Sequence, residues 1–356
     1  MVWRIFAAIS LFSCLMSSSI AQITQPRNLA EFPSRYVCGR AESPVNIDGC
    51  LDDAAWTHAH WSGSFVDIQG DSMPPPRFRT RVKMLWDDSC LYCGAEIEEP
   101  DVWATLMRRD TVIFQDNDFE VFIDPNGDNL EYVEMEMNAF NTVWDLLLRT
   151  PYRDGGHGDN SFNYAGLRTA VRVLGTINHP GDRDTGWTVE IAIPWTAFAL
   201  IAHQPLPPNN GDQWRMNFSR VEWQVIVRDG RYEKVPDKVE DNWVWSPQGV
   251  IDMHRPERWG YVQFARSPEG EFRDDPSWGA RVLLHRVYYA ERAFVKRFGR
   301  WAGTVDELGL TLPPGFAHAP LIDSSSLGYI ATFGIRLHDG RIQYWHIRQD
   351  SRIWSD

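Results

Sequence analysis

The feature that most constrains this chain is a series of stretches between residues 79 and 223 in which apolar and polar side chains alternate with period two. Arg79 to Trp86 places Thr80, Val82, Met84 and Trp86 on one face, with Arg79, Arg81 and Lys83 on the other. Leu91 to Ile97 sets Leu91, Cys93, Ala95 and Ile97 against Tyr92, Gly94 and Glu96. Phe119 to Ile123, Tyr132 to Ala139, Val143 to Arg149, Leu167 to Leu174, Thr188 to Ile193 and Arg215 to Trp223 continue the series. Period two belongs to strands, whose successive side chains point to opposite faces. Turn chemistry separates the stretches, as in Pro125-Asn126-Gly127-Asp128, Asp154-Gly155-Gly156 and Asn209-Asn210-Gly211-Asp212. Many short strands with this punctuation predict a mainly β fold, an antiparallel sandwich of immunoglobulin-like or jelly-roll type.

The two ends read differently. Arg4 is a short positive region, Ile5 to Met16 is apolar, and Ser19-Ile20-Ala21 offers small residues, so residues 1–21 are expected to be a signal peptide cleaved after Ala21. Leu11-Phe12-Ser13-Cys14 is the rival reading, a lipoprotein acylation site, which bulky Phe12 fits poorly. No later stretch reaches the roughly 18 apolar residues of a membrane span. The expectation is an exported protein, secreted, periplasmic or held at the cell surface. At the other end, a Pro, Gly and charge cluster from Ser267 to Pro276 marks a boundary. Beyond it Leu283, Val287, Ala290, Phe294 and Phe298 recur at helical spacing, with Gly299 as the stop. Tyr329 to Leu337 and Arg341 to Ile347, joined by Asp339-Gly340, predict a hairpin. Residues 270–356 are therefore expected to form a small α+β appendage, too thin to bury the helix face alone, that docks on the sandwich or on a protein partner.

Charge excludes one large class of function. With 35 basic against 48 acidic residues, formally −13, the chain lacks the basic face that nucleic acid requires. Its 17 Trp, beside 18 Phe and 11 Tyr, suit either a β core or the apolar faces of sugars. Past Cys14, four cysteines remain, Cys38, Cys50, Cys90 and Cys93, an even number for an oxidising compartment. Three pairings are possible, and Cys38 with Cys50 is slightly favoured. The spacing of Cys90 and Cys93 suits redox chemistry, yet no strand-to-helix context follows.

Five separated motifs then agree. They are Val45-Asn46-Ile47-Asp48-Gly49-Cys50-Leu51-Asp52-Asp53-Ala54-Ala55-Trp56; Val82 to Asp88 with Leu91-Tyr92; Asp116 to Asp124; Gly186-Trp187-Thr188-Val189-Glu190-Ile191-Ala192-Ile193-Pro194-Trp195; and Arg255-Pro256-Glu257-Arg258-Trp259-Gly260. In this order and spacing, residues 41–266 resemble carbohydrate-binding module family 9 and its family-9-like relatives. The resemblance implies a β-sandwich, related to domains that bind sugars or haem, whose concave sheet or loop rim takes saccharide. It also implies bound calcium in some members, frequent attachment to glycoside hydrolases, and no catalytic centre. Sugar-end binders of the family grip the sugar between two tryptophans. The first position matches Phe114, and the second falls in the loop Ser246 to His254, where Trp243, Trp245 or His254 would have to substitute. Glu120 and Arg220 match hydrogen-bonding positions, and Asn138 matches a family asparagine. Glu136 departs, standing where those binders have a basic residue.

Alternation supplies a floor for such a site. Tyr132, Glu134, Glu136 and Asn138 share one face, expected to be exposed, opposite Val133, Met135 and Met137. Trp103 and Trp144, with Phe114, are placed to stack on a pyranose beside those carboxylates. The competing reading is a solvated surface, or an ion-pair network with Arg168, Arg172 and Arg215. Asp124, Asn126 and Asp128 offer hard oxygens around a Gly turn, the donors calcium requires, though the distal bidentate Glu of an EF-hand is lacking. The histidines show no metal spacing, and nothing links Met135 or Met137 to a His as haem ligands, so no organic cofactor is expected. The reading that follows is a non-catalytic carbohydrate-binding protein of polysaccharide recognition or catabolism. The alternatives are a glycoside hydrolase or hydrolase-accessory protein, with Asp116, Asp118, Glu120, Glu134 and Glu136 as candidate acids and bases, and a surface interaction protein without sugar binding.

Overall fold

The structure, a computed structural model, describes residues 25–312, 318–337 and 339–356. The signal peptide expected over residues 1–21, with Cys14 and Ala21, lies outside the described residues. In chain order the first strands are β1 (Arg35–Arg40), β2 (Val66–Asp67), β3 (Thr80–Trp86), β4 (Cys90–Glu98), β5 (Asp118–Asp124), β6 (Tyr132–Asn138), β7 (Val143–Leu148) and β8 (Gly158–Asp159). They are followed by β9 (Arg168–Leu174), β10 (Gly186–Pro194), β11 (Gln213–Glu222), β12 (Val225–Arg228), β13 (Arg231–Lys234), β14 (Asp241–Val244) and β15 (Gly260–Phe264).

One layer runs β8-β7-β6-β5-β11-β15-β1, with β14 and β2 branching from β11, and the other runs β1-β3-β4-β10-β9. Strand β1 serves both. Its residues Arg35 to Cys38 pair with β15, while Gly39 and Arg40 pair with β3. Both pairings are parallel, so the sheet is mixed where pure antiparallel pairing was expected. Glycine is required at the switch, because a Cβ on Gly39 would lie 2.7 Å from Pro268.

Between the layers lies the main core. Val82, Met84, Trp86, Leu91, Cys93, Ala95 and Ile97 come from β3 and β4, as their alternation predicts. Phe119, Val121, Ile123, Val133, Met135 and Met137 come from β5 and β6. Each such side chain contributes about 1.5–3 kcal/mol by leaving water. Trp56 packs outside the second layer, in a cluster with Leu85, Tyr92 and Ala192, and donates its indole N–H to Glu190 at 2.7 Å. All four described cysteines are free thiols. The Cys38–Cys50 bridge is not formed, because Cys38 points into the main core while Cys50 sits beside Arg172 of β9, accepting a hydrogen bond at 2.7 Å.

The C-terminal unit is larger than a helix and a hairpin. Helix α1 (Trp278–Phe298) ends at Gly299 with φ +70°, and lies on a sheet ordered β16 (Leu321–Ser324), β17 (Tyr329–Arg336), β18 (Ile342–Arg348), β19 (Ile353–Ser355). The two outer strands supply the surface that the sequence reading lacked. Leu283, Leu284 and Val287 pack on Ala331, Phe333 and Ile347 of this sheet, and Phe298, at the end of the helix, is exposed. What faces the sandwich is instead a polar side of the helix. Arg281 donates to the Gly127 carbonyl at 2.6 Å, Tyr288 to Asp154 at 2.6 Å, and Tyr289 to Glu257. Arg153, its side chain wholly buried, pairs with Glu257 at 2.9 Å.

Candidate functional site

The outer face of the first layer, turned away from the main core, carries Asp118, Glu120 and Phe122 from β5 and Tyr132, Glu134, Glu136 and Asn138 from β6. Register fixes their company: Glu120 lies opposite Glu136 on β6 and opposite Ser219 on β11, and Glu136 lies opposite Trp144 on β7. The alternation of β6 is therefore as read, but the face is not an exposed surface. At the Tyr132 end it is covered by an apolar cluster of Phe122, Leu146, Leu148, Met253 and Trp259. At the Asn138 end the chain around Leu106 and Asp116 closes over it, since Asn138 donates to the Leu106 carbonyl at 2.8 Å and to Asp116 at 3.0 Å.

Between these lids lies a pit floored by carboxylates. Glu134 and Glu136 keep only 5% and 2% of their surface, and Asp118 none. Asp118, Glu120 and Glu136 each place an oxygen within 4.8 Å of the others. Burial, then the neighbouring carboxylates, hold Asp118 and Glu136 well above the ordinary carboxylate range. Burial lifts Glu120 to about 7. The Phe114 backbone N–H donates to Glu136 at 2.9 Å and the Val221 N–H to Asp118 at 3.0 Å. Among the described residues no Lys or Arg pairs with Asp118, Glu120, Glu134 or Glu136. His254 approaches Glu134 at 3.9 Å, but burial holds the imidazole down at about 4, so it brings no charge at neutral pH. Arg168 and Arg172 belong to β9 in the other layer, and Arg215 is directed to the carbonyls of Pro256 and Glu257. The ion-pair network suggested for this face does not form.

Rings stand around the pit. Phe114 and Trp144 are half-buried, and the Trp144 indole donates to Asn160 at 2.9 Å. Trp223, also half-buried, donates its indole N–H to the Phe114 carbonyl at 2.9 Å and carries the Lys234 ammonium 3.3 Å above its ring. It was not singled out from sequence, although it follows β11 directly and closes the alternating stretch. Tyr152 and His254, whose rings meet at 4.5 Å, border the Glu134 side.

Several of the sequence-derived candidates are buried elsewhere or engaged by their own surroundings. Arg220 is buried on the opposite, inner face, donating to Glu99 at 2.6 Å and Glu222 at 2.8 Å and packed against Trp243. Asn138 is consumed by its own surroundings, accepting the Phe140 and Thr142 N–H groups while donating to Leu106 and Asp116. Trp103 is buried, 5% exposed, and offers no rim surface. Trp243 and Trp245 belong to the main core and cannot face a ligand. Asp124, Asn126 and Asp128 form a self-closed turn: Asp124 accepts the Gly127 and Asn129 N–H groups, Asn126 accepts that of Asp128, and Asp128 accepts that of Leu130. Arg352 lies 3.4 Å from Asp128.

A sandwich that closes its core between two layers and keeps a ringed polar pit on one outer face has the architecture of a binding module. Residues 47–213 match the family described as carbohydrate family 9 binding domain-like, the family that the motifs resemble. The chain is 28% identical over 169 residues to Exoglucanase XynX of Acetivibrio thermocellus, covering 48% of this chain and 13% of that one. It is 27% identical over 185 residues to Endo-1,4-beta-xylanase A of Thermoanaerobacterium saccharolyticum, covering 51% and 14%. The match thus spans only a small part of these relatives. Among solved structures, a family 9 module from Caldicellulosiruptor kristjanssonii in complex with cellotriose is similar over 68% of this chain and 100% of that one, at 19% identity and a TM-score of 0.43. A putative carbohydrate-binding protein from Bacteroides uniformis is similar over 65% and 99%, at 14% identity and a TM-score of 0.49.

Proposed function

We propose that this chain is an exported carbohydrate-binding protein with no catalysis of its own, serving polysaccharide recognition or breakdown. Residues 41–266 are the binding unit and residues 270–356 its C-terminal support. The carrying observation is that three half-buried rings border the buried carboxylates: Trp144 is the register partner of Glu136, the Phe114 N–H donates to Glu136, and Trp223 donates to the Phe114 carbonyl. A pyranose has apolar C–H faces that stack on rings and hydroxyls that donate to carboxylates, so one site of mixed character serves both. The match of residues 47–213 to the family supports the same reading. The relatives are named as an exoglucanase and an endo-1,4-beta-xylanase, which makes β-1,4-glucan and xylan fragments the first ligands to try.

Calorimetric titration of the purified chain with cello- and xylo-oligosaccharides tests this. Binding is expected, with Phe114→Ala weakening it at least tenfold at unchanged melting temperature and no reducing sugar released. A broad glycan panel without a single binder would overturn the reading. Release of reducing sugar that Glu120→Gln abolishes would make the chain a glycosidase instead.

A further inference from the structure

Four buried acidic side chains without a cation raise the question of what sits among them. We infer that Asp118, Glu120 and Glu136, with the Ser219 hydroxyl, form a binding site for a hard divalent cation of the calcium class. This goes beyond saccharide binding and does not depend on it.

The first ground is geometric. One oxygen from each of the three carboxylates lies within 4.8 Å of the other two. Calcium binds its oxygens at about 2.3–2.6 Å, so two oxygens on opposite sides of one ion are about 5 Å apart. The strands hold the set in place, because Glu136, Glu120 and Ser219 are register partners across β6, β5 and β11. Asp118 sits two residues before Glu120, on the same face.

The second ground is independent of the acidic clustering. Asp118 is wholly buried and spends one oxygen on the Val221 N–H, while its Oδ2 has no hydrogen-bond partner among the described residues. The Ser219 hydroxyl, also wholly buried and in register with Glu120, turns to that carboxyl without a well-formed hydrogen bond. Buried polar atoms are rarely left so, and each orphan normally marks a water, an ion or a function. Here an acceptor oxygen and a hydroxyl that carries free lone pairs lie beside one cluster.

Donor chemistry then selects the ion. The set is all oxygen, with neither His nor Cys, which suits calcium, magnesium or manganese rather than zinc or copper. Three carboxylates that can bind through one or two oxygens, a hydroxyl and water readily reach six to eight ligands in an irregular shell, the habit of calcium. Depth argues against the other cation that could answer the charge, an ammonium group on a sugar. Asp118 has no exposed surface, so a bare ion can join it where an amine would have to bring its carbon ring.

The test is a titration of calcium chloride into the chelator-treated full chain, followed by calorimetry and by the melting temperature, with no saccharide present. One equivalent should bind, with a dissociation constant between about 10⁻⁶ and 10⁻³ M, and the melting temperature should rise. Asp118→Asn and Glu136→Gln should each weaken binding at least tenfold. Both should fold in the absence of metal, since each removes a buried acid that has no cationic partner, and circular dichroism checks this. Asp128→Asn, in the self-closed turn, should leave the affinity within twofold. Absence of binding up to 10-fold above ~10⁻³ M, equal affinity in Asp118→Asn and Glu136→Gln, or loss of binding in Asp128→Asn alone would each overturn the assignment. A melting temperature raised by glucosamine and not by calcium would overturn it in favour of an ammonium ligand.

Discussion

Two buried groups of charged residues lie on the first layer of this sandwich, and they are built on opposite terms. Where the helix docks, the central carboxylate and guanidinium are paired. Glu257 meets Arg153 at 2.9 Å and also accepts from Tyr289, while Arg153 donates to the His254 carbonyl at 2.7 Å. Burial works against the Glu257 charge, but Arg153, with His285 and Arg255 beyond it, holds the carboxyl down at about 2. In the pit, burial and like charge act together, and no cation intervenes among the described residues. Carboxylates of the two groups are equally buried, so desolvation does not distinguish them. Partnering does. A matched network is the signature of an interface that stays shut, and an unmatched one is the signature of a place meant to receive something.

The largest effect should come from breaking the matched side. Arg153→Ala leaves Glu257 buried and unpaired, which costs about 3–5 kcal/mol. Urea unfolding of the full chain measures it. A loss below ~1 kcal/mol would mean that the docked charges behave like exposed ones, and the contrast between the two groups would collapse.

Acid should act next, through His285. Its Nε2 accepts the Asn129 side-chain N–H at 2.9 Å and its Nδ1–H donates to the Arg281 carbonyl at 2.7 Å, so the neutral ring uses both nitrogens. Burial, opposed by Glu257, lowers the group from 6.5 to about 4. A folded value below the unfolded one means that the unfolded chain takes the proton first. Stability is therefore full above pH 6.5 and falls as pH drops towards 4, by about 3 kcal/mol from this group. Stability measured across that window should show the slope, and His285→Gln should lack this share of it. An unaltered slope would remove His285 from the interface's acid response.

How much of this was readable beforehand follows from period and parity. Strands β3 to β7 announce themselves because one face is apolar and the other polar. Strand β1 does not: Arg35–Arg40 is divided between two layers, and a segment that changes sheets has no single face to pattern. The short outer strands β16 and β19 carry too few residues to show a period. In the site, residue type misled where parity would have served. Ser219 is the partner of Glu120, so Arg220, one residue on, must point to the other side with Met216 and Phe218. Trp223 was missed because the second aromatic was sought in the loop Ser246 to His254. What no local pattern announces is burial of the polar face, since the loops that close over it are distant in sequence.

A smaller effect should sharpen the ligand side of the contrast. The Trp223 ring is fixed against the Phe114 backbone and beneath Lys234, so it can meet a ligand without losing much freedom. Trp223→Ala should lower oligosaccharide affinity by about 2 kcal/mol, roughly thirtyfold, through lost apolar contact. Trp103→Phe, at a ring buried away from the rim, should leave that affinity unchanged in the same titration. Equal losses in the two variants would mean that the rim is not the contact surface.

The smallest effect separates the two groups most cleanly, because its sign is opposite to that at Arg153. Glu136 and Glu120 face each other across two strands, and burial together with that neighbour holds Glu136 well above the ordinary carboxylate range, so keeping this acid folded at neutral pH costs stability. Glu136→Gln keeps an oxygen to accept the Phe114 N–H and offers an amide that can donate to Glu120. In chelator at neutral pH the variant should therefore be more stable than the parent, by about 0.5–1 kcal/mol. Urea unfolding again provides the measure. A loss exceeding ~1 kcal/mol would show that the Glu136 charge is matched after all, and the pit would then join the helix interface as structure.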